Sequence, residues 1–322
     1  SVLPGGTSQW LEKTLAAGLV LILTIVHASN HRNSGGLQLI FTILKVGIIV
    51  AFCVAAIVAI DTPQTLSFLP VAGDGALLTS GTFAVSLIYV SFAYTGWNAA
   101  TYLSSELEQA QRTLPWILMG GTLIVTGLYV SLNFVFLYTA PMEAMVGQVE
   151  VGFIAAETAF GDLGGRFTGL VFAILLVSTV SAMTIAGPRV IQVMGEDFSA
   201  LKALGKTNKD GIPSTAIFIQ SAIALLFIFS STFESVLVFS GFTLALNSFA
   251  TVLGIFVLRW RQPDLPRPYR TFLYPVPPLI YLALTGWTLW FVLISRPVEG
   301  LFGLGIMAAG SIFYFLSLNK SK

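Results

Sequence analysis

Charge and cysteine are scarce in this chain of 322 residues. Asp, Glu, Lys and Arg together account for 10% of the residues, and Cys53 is the single cysteine. One cysteine excludes an intrachain disulfide framework and a cysteine-based metal site, so we interpret Cys53 as a small core residue. The formal net charge of +1 gives no reason to expect a nucleic-acid partner.

Motifs of nucleotide-driven pumps and of hydrolases are also missing. The sequence contains neither a GxxxxGK[ST] phosphate loop nor a GxSxG elbow. His27 and His31 have the spacing of a helical zinc pair, but no glutamate lies between them and no third ligand is evident. Glu106 and Glu108 fall at a helix end where water can solvate them, and no paired acids lie at bilayer depth. We therefore expect no enzyme, no metal and no cofactor.

Apolar residues are abundant instead: they make up 55% of the chain, and the mean hydropathy is +0.85. Such values exceed those of soluble domains. The apolar residues form blocks of about 20 residues, the length needed to cross roughly 30 Å of hydrocarbon. We therefore predict an all-α integral membrane protein with about nine transmembrane helices in one transmembrane domain, residues 1–322. The predicted blocks are 14–29, 37–60, 80–104, 114–139, 167–188, 213–231, 233–258, 276–295 and 301–318.

The distribution of Lys and Arg predicts the orientation, because basic connectors stay on the cytoplasmic side of a membrane. Roughly twelve of the 16 basic residues fall in alternate connectors. The opposite side has only Lys13, Arg166 and Arg296. We expect the C-terminus in the cytoplasm, the first residues of the chain outside, and the protein in the plasma (cell inner) membrane.

Polar residues inside the apolar blocks are the candidate functional positions, since ionisable or helix-breaking residues are costly at bilayer depth. Lys45 lies about nine residues into its block, on the order of 13 Å from the cytoplasmic end. It is either a lysine that snorkels to the interface or a buried cation that pins helices together or titrates.

The third block changes character midway, at Tyr94, Thr95, Gly96, Trp97 and Asn98. Glycine with β-branched and amide neighbours predicts local unwinding, which leaves backbone groups that must face a cavity or a ligand. Such breaks are typical of substrate sites in secondary transporters. The alternative is an intact helix in which Gly96 is a packing notch and Trp97 belongs to the core.

Hydroxyl residues occupy the middle of the fifth block, at Ser178, Thr179, Ser181 and Thr184. Small hydroxyl residues often only hold membrane helices together. We expect Ser181 to line a site only if it faces Lys45.

Four stretches resemble amino acid permeases of the amino acid–polyamine–organocation superfamily. FAYTGWNAATYLSSELEQAQRTLP is similar to the sixth helix of that family, LQLIFTILKVG to the fifth helix with its lysine, and SAMTIAGPRVIQVMGEDF to the eighth. FESVLVFSGFTLALNSFATVLGIFVLRWRQPDLPRPYR resembles the tenth helix and its basic tail. The resemblance covers nearly the whole chain. It implies part of a five-plus-five inverted-repeat fold and a secondary amino acid transporter that works by alternating access.

The resemblance also implies a substrate-binding segment in the broken sixth helix. There, backbone groups would meet the α-amino group of the substrate, an aromatic side chain, Phe92, would act as a gate, and the residues that follow would shape the pocket. The implied segment consists of Phe92, Ala93, Tyr94, Thr95, Gly96, Trp97 and Asn98.

Lys45 would occupy the place where sodium sits in related sodium-driven transporters, with Ser181 nearby. A lysine in that place suggests exchange or proton coupling, because a dehydrated lysine can give up its proton. The expected partners are therefore a small amino acid, the lipid bilayer and protons. No acidic side chain lies in the mid-helix run, so a neutral amino acid is preferred over a dicationic one.

Two departures from the family are visible. Gln109, Ala110 and Gln111 stand where the family commonly has Asn-Pro, which loosens a turn outside the site. Counting from the matched helices, the chain corresponds to family helices four to twelve, so we expect a fragment without the first three. A non-transporting membrane protein, such as a sensor, a scaffold or a truncated remnant, is the alternative function.

Overall fold

The computed structural model describes residues 9–29, 34–96, 107, 109–267 and 269–318. The regular secondary structure of the described residues is helical, and nine of the helices are apolar. Two short helices, Asp74–Leu78 and Met142–Met145, and a 3₁₀ turn at Ser199–Leu201 lie in the connectors. The apolar helices are α1 (Gln9–Ser29), α2 (Ser34–Ala59), α3 (Gly81–Ala93), α4 (Ala110–Thr139), α5 (Val151–Asp197), α6 (Ser214–Ser230), α7 (Phe233–Arg261), α8 (Val276–Ser295) and α9 (Pro297–Leu318).

Seven of these helices in the described part of the chain are long and apolar enough to cross a membrane. The other two, α3 and α6, are equally apolar but have 13 and 17 residues. The prediction of an all-α, multi-pass membrane protein is confirmed. That all nine belong to one transmembrane domain stays a prediction.

Helix α5 is much longer than its predicted block, with 47 residues from Val151 to Asp197. The extra length lies on both sides of the block: residues 151–166 before it, where the connector is itself helical, and residues 189–197 after it. Gly161 interrupts this helix with φ 72° and ψ 179°. Residues other than glycine rarely adopt such a backbone, so Gly161 separates a short first segment from the apolar helix proper.

The contacts divide the chain into two compact units. The first unit comprises Ser1–Phe68 and Ile124–Ser230. In it α5 packs against α1, α2 and α6, and α1 packs against α6. Its core includes Phe52 and Cys53 of α2, with Val135 of α4 and Ala155 of α5. The interpretation of Cys53 as a core residue is confirmed, since its exposed fraction is 8%.

The second unit comprises Leu69–Leu123 and Ser231–Lys322. Helix α7 packs against α3, α8 and α9, and α8 also contacts α3 and α9. Lipid tails are as apolar as a leucine side chain, so close packing and hydrogen bonds, rather than escape from water, hold such helices together. Gly241 of α7 provides one close approach, because a Cβ there would lie 2.6 Å from Ile88 Cγ2 of α3.

Candidate functional site

The predicted break in the third block is present as the end of α3. The helix begins after Ser80, whose hydroxyl caps Phe83 N, and ends at Ala93. Thr95 donates twice to the Phe92 carbonyl, from its backbone N at 3.0 Å and from Oγ1 at 2.7 Å. Gly96 follows with φ 98°, a left-handed conformation that glycine adopts at little cost. The alternative of an intact helix with Gly96 as a packing notch does not describe this segment.

The end of α3 has the electrostatic character of a cation site. The last carbonyls of a helix have no N–H partner in the helix, and they carry the negative end of the helix dipole. Tyr94 is half-buried, whereas Thr95 and Gly96 are exposed. A positively charged group such as an α-ammonium would be favoured here. Trp97 and Asn98, which the sequence also assigns to this site, lie outside the described residues.

Lys45 joins α2 to α5 in the first unit. Its Nζ donates to Thr179 Oγ1 at 3.1 Å, and Thr179 Oγ1 donates to the Leu175 carbonyl at 3.1 Å. Lys45 is half-buried. Its ammonium group thus ends on a hydroxyl in the middle of α5 and links the two helices.

Ser181 has a different partner from the one its sequence position suggests. Its Oγ lies 2.8 Å from His27 Nε2 of α1, and the hydroxyl bound to Lys45 is that of Thr179. Two residues along an α-helix are separated by about 200° of rotation. Thr179 therefore faces α2, and Ser181 faces α1. We expected Ser181 to line a site only if it faces Lys45, and the structure shows no hydrogen bond between these two described residues.

Two residues that contact the predicted site residues were not themselves predicted: Thr179, which binds Lys45, and His27, which binds Ser181. The rule that selects Lys45, an ionisable group inside an apolar block, also applies to His27. Thr179 gave no signal of its own, because Ser178, Thr179 and Ser181 all carry a hydroxyl group and the sequence does not show which of them faces Lys45. The structure separates them: Ser178 Oγ is buried and has no hydrogen-bond partner within the described residues.

The Gly-Pro pair of α5 has a structural explanation in the first unit. Pro188 cannot donate a backbone hydrogen bond and so loosens the preceding turn. Gln220 Nε2 of α6 donates to the Met183 carbonyl at 3.2 Å in that turn. Gly187 leaves the room for this contact, because a Cβ there would lie 2.1 Å from Gln220 Oε1.

Metal ligands do not cluster in the described part of the chain, where no group of three His, Cys, Asp or Glu residues is placed to hold an ion. His31, the second histidine considered above, lies outside the described residues.

Long apolar helices, an interrupted helix and an intramembrane lysine define the class: a multi-pass, α-helical integral membrane protein. The sequence pattern of the amino acid permease family matches residues 4–316. The chain therefore belongs to the amino acid permease family. This is a family of permeases, not of enzymes.

Curated relatives agree with this assignment. The chain is 27% identical over 311 residues to b(0,+)-type amino acid transporter 1 of Mus musculus, covering 94% of this chain and 62% of the relative. It is 28% identical over 287 residues to the branched-chain amino acid permease BcaP of Lactococcus lactis, covering 86% and 60%. It is 29% identical over 322 residues to the large neutral amino acids transporter small subunit 2 of Mus musculus, covering 95% and 58%. The chain thus spans about six tenths of the length of these relatives.

Proposed function

We propose that the full-length gene product is a secondary active amino acid transporter that works by alternating access. The main support for this proposal is that α3 ends at Ala93 and is followed by the Tyr94–Gly96 turn. The chain also belongs to the amino acid permease family. A helix end inside an apolar segment exposes backbone groups that lipid cannot satisfy. A substrate with a charged amino group can satisfy them.

The proposed substrate is a neutral amino acid. Its α-ammonium group would lie at the end of α3, close to the backbone of Phe92, Ala93, Thr95 and Gly96. Two of the relatives are named for large neutral and for branched-chain amino acids. The absence of an acidic side chain between Phe92 and Asn98 supports the same preference, since a second positive charge would have no counter-ion from this segment.

Lys45 is the proposed coupling residue. Its hydrogen bond to Thr179 ties α2 to α5, so a change in the charge of Lys45 alters the attachment between two helices. A cation held in this way can support exchange without an ion or coupling to protons. Ser181 would support the same coupling through a separate contact, its hydrogen bond to His27 of α1.

Uptake of a radiolabelled neutral amino acid into liposomes tests this function. We expect saturable uptake by the parent protein and a loss of about tenfold or more in Lys45→Ala, because hydrogen bonds to charged groups contribute about 1.5–3 kcal/mol. Lys45→Arg keeps the charge but does not titrate, so it separates charge from proton release. Lys202→Ala, an exposed lysine after α5, is the matched control.

Two results would overturn parts of the proposal. Unchanged uptake and unchanged pH dependence in Lys45→Ala would exclude Lys45 from coupling. No uptake by a folded parent protein, over a panel of amino acids, would favour a sensor, a scaffold or a remnant instead.

The proposed location is the plasma membrane with the C-terminus in the cytoplasm. The connectors after α5 and α7 carry Lys202, Lys206 and Lys209, and Arg267 and Arg270, which favours the cytoplasmic side for both. Reporter fusions at the C-terminus and in the α8–α9 connector test the orientation. A C-terminal reporter that is active outside the cell would contradict it.

A further inference from the structure

A polar cluster near the start of α7 lies outside the site described above. Tyr89 Oη of α3 donates to Glu234 Oε1 of α7 at 3.2 Å. The same carboxylate oxygen pairs with the guanidinium group of Arg296, which stands between α8 and α9. All three residues belong to the second unit. One carboxylate therefore connects α3, α7 and the α8–α9 connector.

The start of α7, which carries Glu234, is held by contacts that do not involve Tyr89. Thr232 Oγ1 caps α7 by accepting a hydrogen bond from Ser235 N at 3.2 Å. Ser235 Oγ donates to Glu299 Oε1 in the first turn of α9 at 3.0 Å. A carboxylate in the first turn of a helix is also stabilised by the helix dipole. The backbone at Glu234 is therefore held independently of Tyr89, which attaches to the Glu234 side chain.

Tyr89 lies one helical turn before Ala93, the last residue of α3. Side chains on a helix lean toward its N-terminus, and Tyr89 reaches in that direction to the first turn of α7. A second attachment lies deeper along α7, where Ile88 packs against Gly241. Two attachments at different depths fix the direction of the last turn of α3 as well as its distance from α7.

The two attachments differ in how easily they open. Ile88 is fully buried, so its contact changes only if the helices separate. The side chains of Arg296 and Glu234 are 39% and 52% exposed, so water competes for the polar contact. The polar contact can therefore open while the apolar contact stays in place.

We propose that Tyr89, Glu234 and Arg296 form a latch that positions the end of α3. Tyr89 and Glu234 are then positioning residues for the Phe92–Gly96 segment rather than substrate contacts. The effect on substrate rests on the proposed transport function, whereas the latch itself does not.

Cysteine labelling of the full-length gene product tests the latch without transport. The background replaces Cys53 and other native cysteines by serine, and Ser91→Cys, an exposed position of α3, is the reporter for a membrane-impermeant maleimide. We expect Tyr89→Phe and Glu234→Gln each to raise the labelling rate by about threefold or more, since the first removes the hydrogen bond to the carboxylate and the second removes the charge of its acceptor. Tyr281→Phe on α8 is the matched control, because the Tyr281 hydroxyl makes no hydrogen bond within the described residues.

Parent labelling rates in both Tyr89→Phe and Glu234→Gln, with both variants eluting as folded protein, would overturn the latch. Arg296→Lys retains the positive charge and is expected to stay within about twofold of the parent. A labelling rate in Tyr281→Phe as high as in Tyr89→Phe would also overturn it, since the effect would then follow from any loss of a tyrosine hydroxyl.

Transport kinetics test the positioning role separately. If only a fraction of molecules holds the end of α3 in place, the apparent dissociation constant rises by the inverse of that fraction. The labelling rate follows the fraction of molecules in which the latch is open, whereas KM follows the inverse of the closed fraction. KM in Tyr89→Phe should therefore rise, with kcat unchanged, by the ratio of the closed fractions of parent and variant. An unchanged KM in a variant whose labelling rate shows that most molecules are open would overturn the positioning role. If the protein does not transport amino acids, the proposed function is wrong. The labelling rates would still show whether the latch exists.

Discussion

Removing the hydroxyl that binds Lys45 should weaken the attachment of α2 to α5. In Thr179→Val the side-chain shape is kept, and the 3.1 Å hydrogen bond to Lys45 Nζ is lost. Hydrogen bonds between membrane helices contribute about 0.6 kcal/mol on average and up to about 1.7 kcal/mol. The charged donor places this bond in the upper part of that range. We therefore expect a loss of about 1–2 kcal/mol.

Thermal unfolding in detergent measures this change. A loss of this size should lower the apparent melting temperature by about 1.5–3 °C, because an unfolding entropy of about 2.1 cal/mol/K per residue gives about 1.5 °C per kcal/mol for a chain of 322 residues. Thr184→Val on the same helix is the matched control, because among the described residues Thr184 Oγ1 bonds only to the Val180 carbonyl of its own helix. Such back-bonding adds little to stability, so the control should change by about 1 °C or less.

A double-mutant cycle identifies the partner. Lys45→Met, Thr179→Val and the double variant should show a coupling of about 0.5 kcal/mol or more, as residues in direct contact do. Effects that add within about 0.3 kcal/mol would refute the reasoning, because two residues that do not interact behave in that way.

Three further predictions follow from single contacts. Gly241→Ala should destabilise the protein by about 1–3 kcal/mol, since its Cβ would lie 2.6 Å from Ile88 Cγ2; an unchanged melting temperature would contradict the close approach. Gly96→Ala should cost about 1–2 kcal/mol because φ is 98° there, and thermal unfolding beside Gly127→Ala, at a helical position with open space, measures it. His27→Leu and Ser181→Ala should each lower the melting temperature by similar amounts without adding, since both remove the 2.8 Å contact; strictly additive shifts would argue against it.

The class of fold could be predicted because hydropathy reports directly on the environment of a helix. Each apolar block contains the apolar part of one observed helix. The end of α3 was predictable for a related reason. Gly96 stands beside a β-branched residue. Its φ of 98° is one that glycine adopts readily, so the glycine itself signals the break in the sequence.

Partners across helices could not be predicted in the same way. Which hydroxyl of α5 meets Lys45 depends on the rotation of α5 about its axis, which packing decides. Thr179 and Ser181 are interchangeable by composition but face different helices. The length of α5 was missed because the helical segment before Gly161, residues 151–160, is too short to span a membrane and contains Glu157, so it has no transmembrane signal of its own.

If the end of α3 binds the α-amino group of an amino acid, bound substrate should shield the turn that follows from a thiol reagent. Thr95→Cys, in the background without native cysteines, places a thiol in the exposed turn. We expect a neutral amino acid to slow maleimide labelling of this thiol in a saturable way, and its N-acetylated form to have no such effect. Equal labelling with and without the amino acid, in protein that takes up the same amino acid, would contradict it.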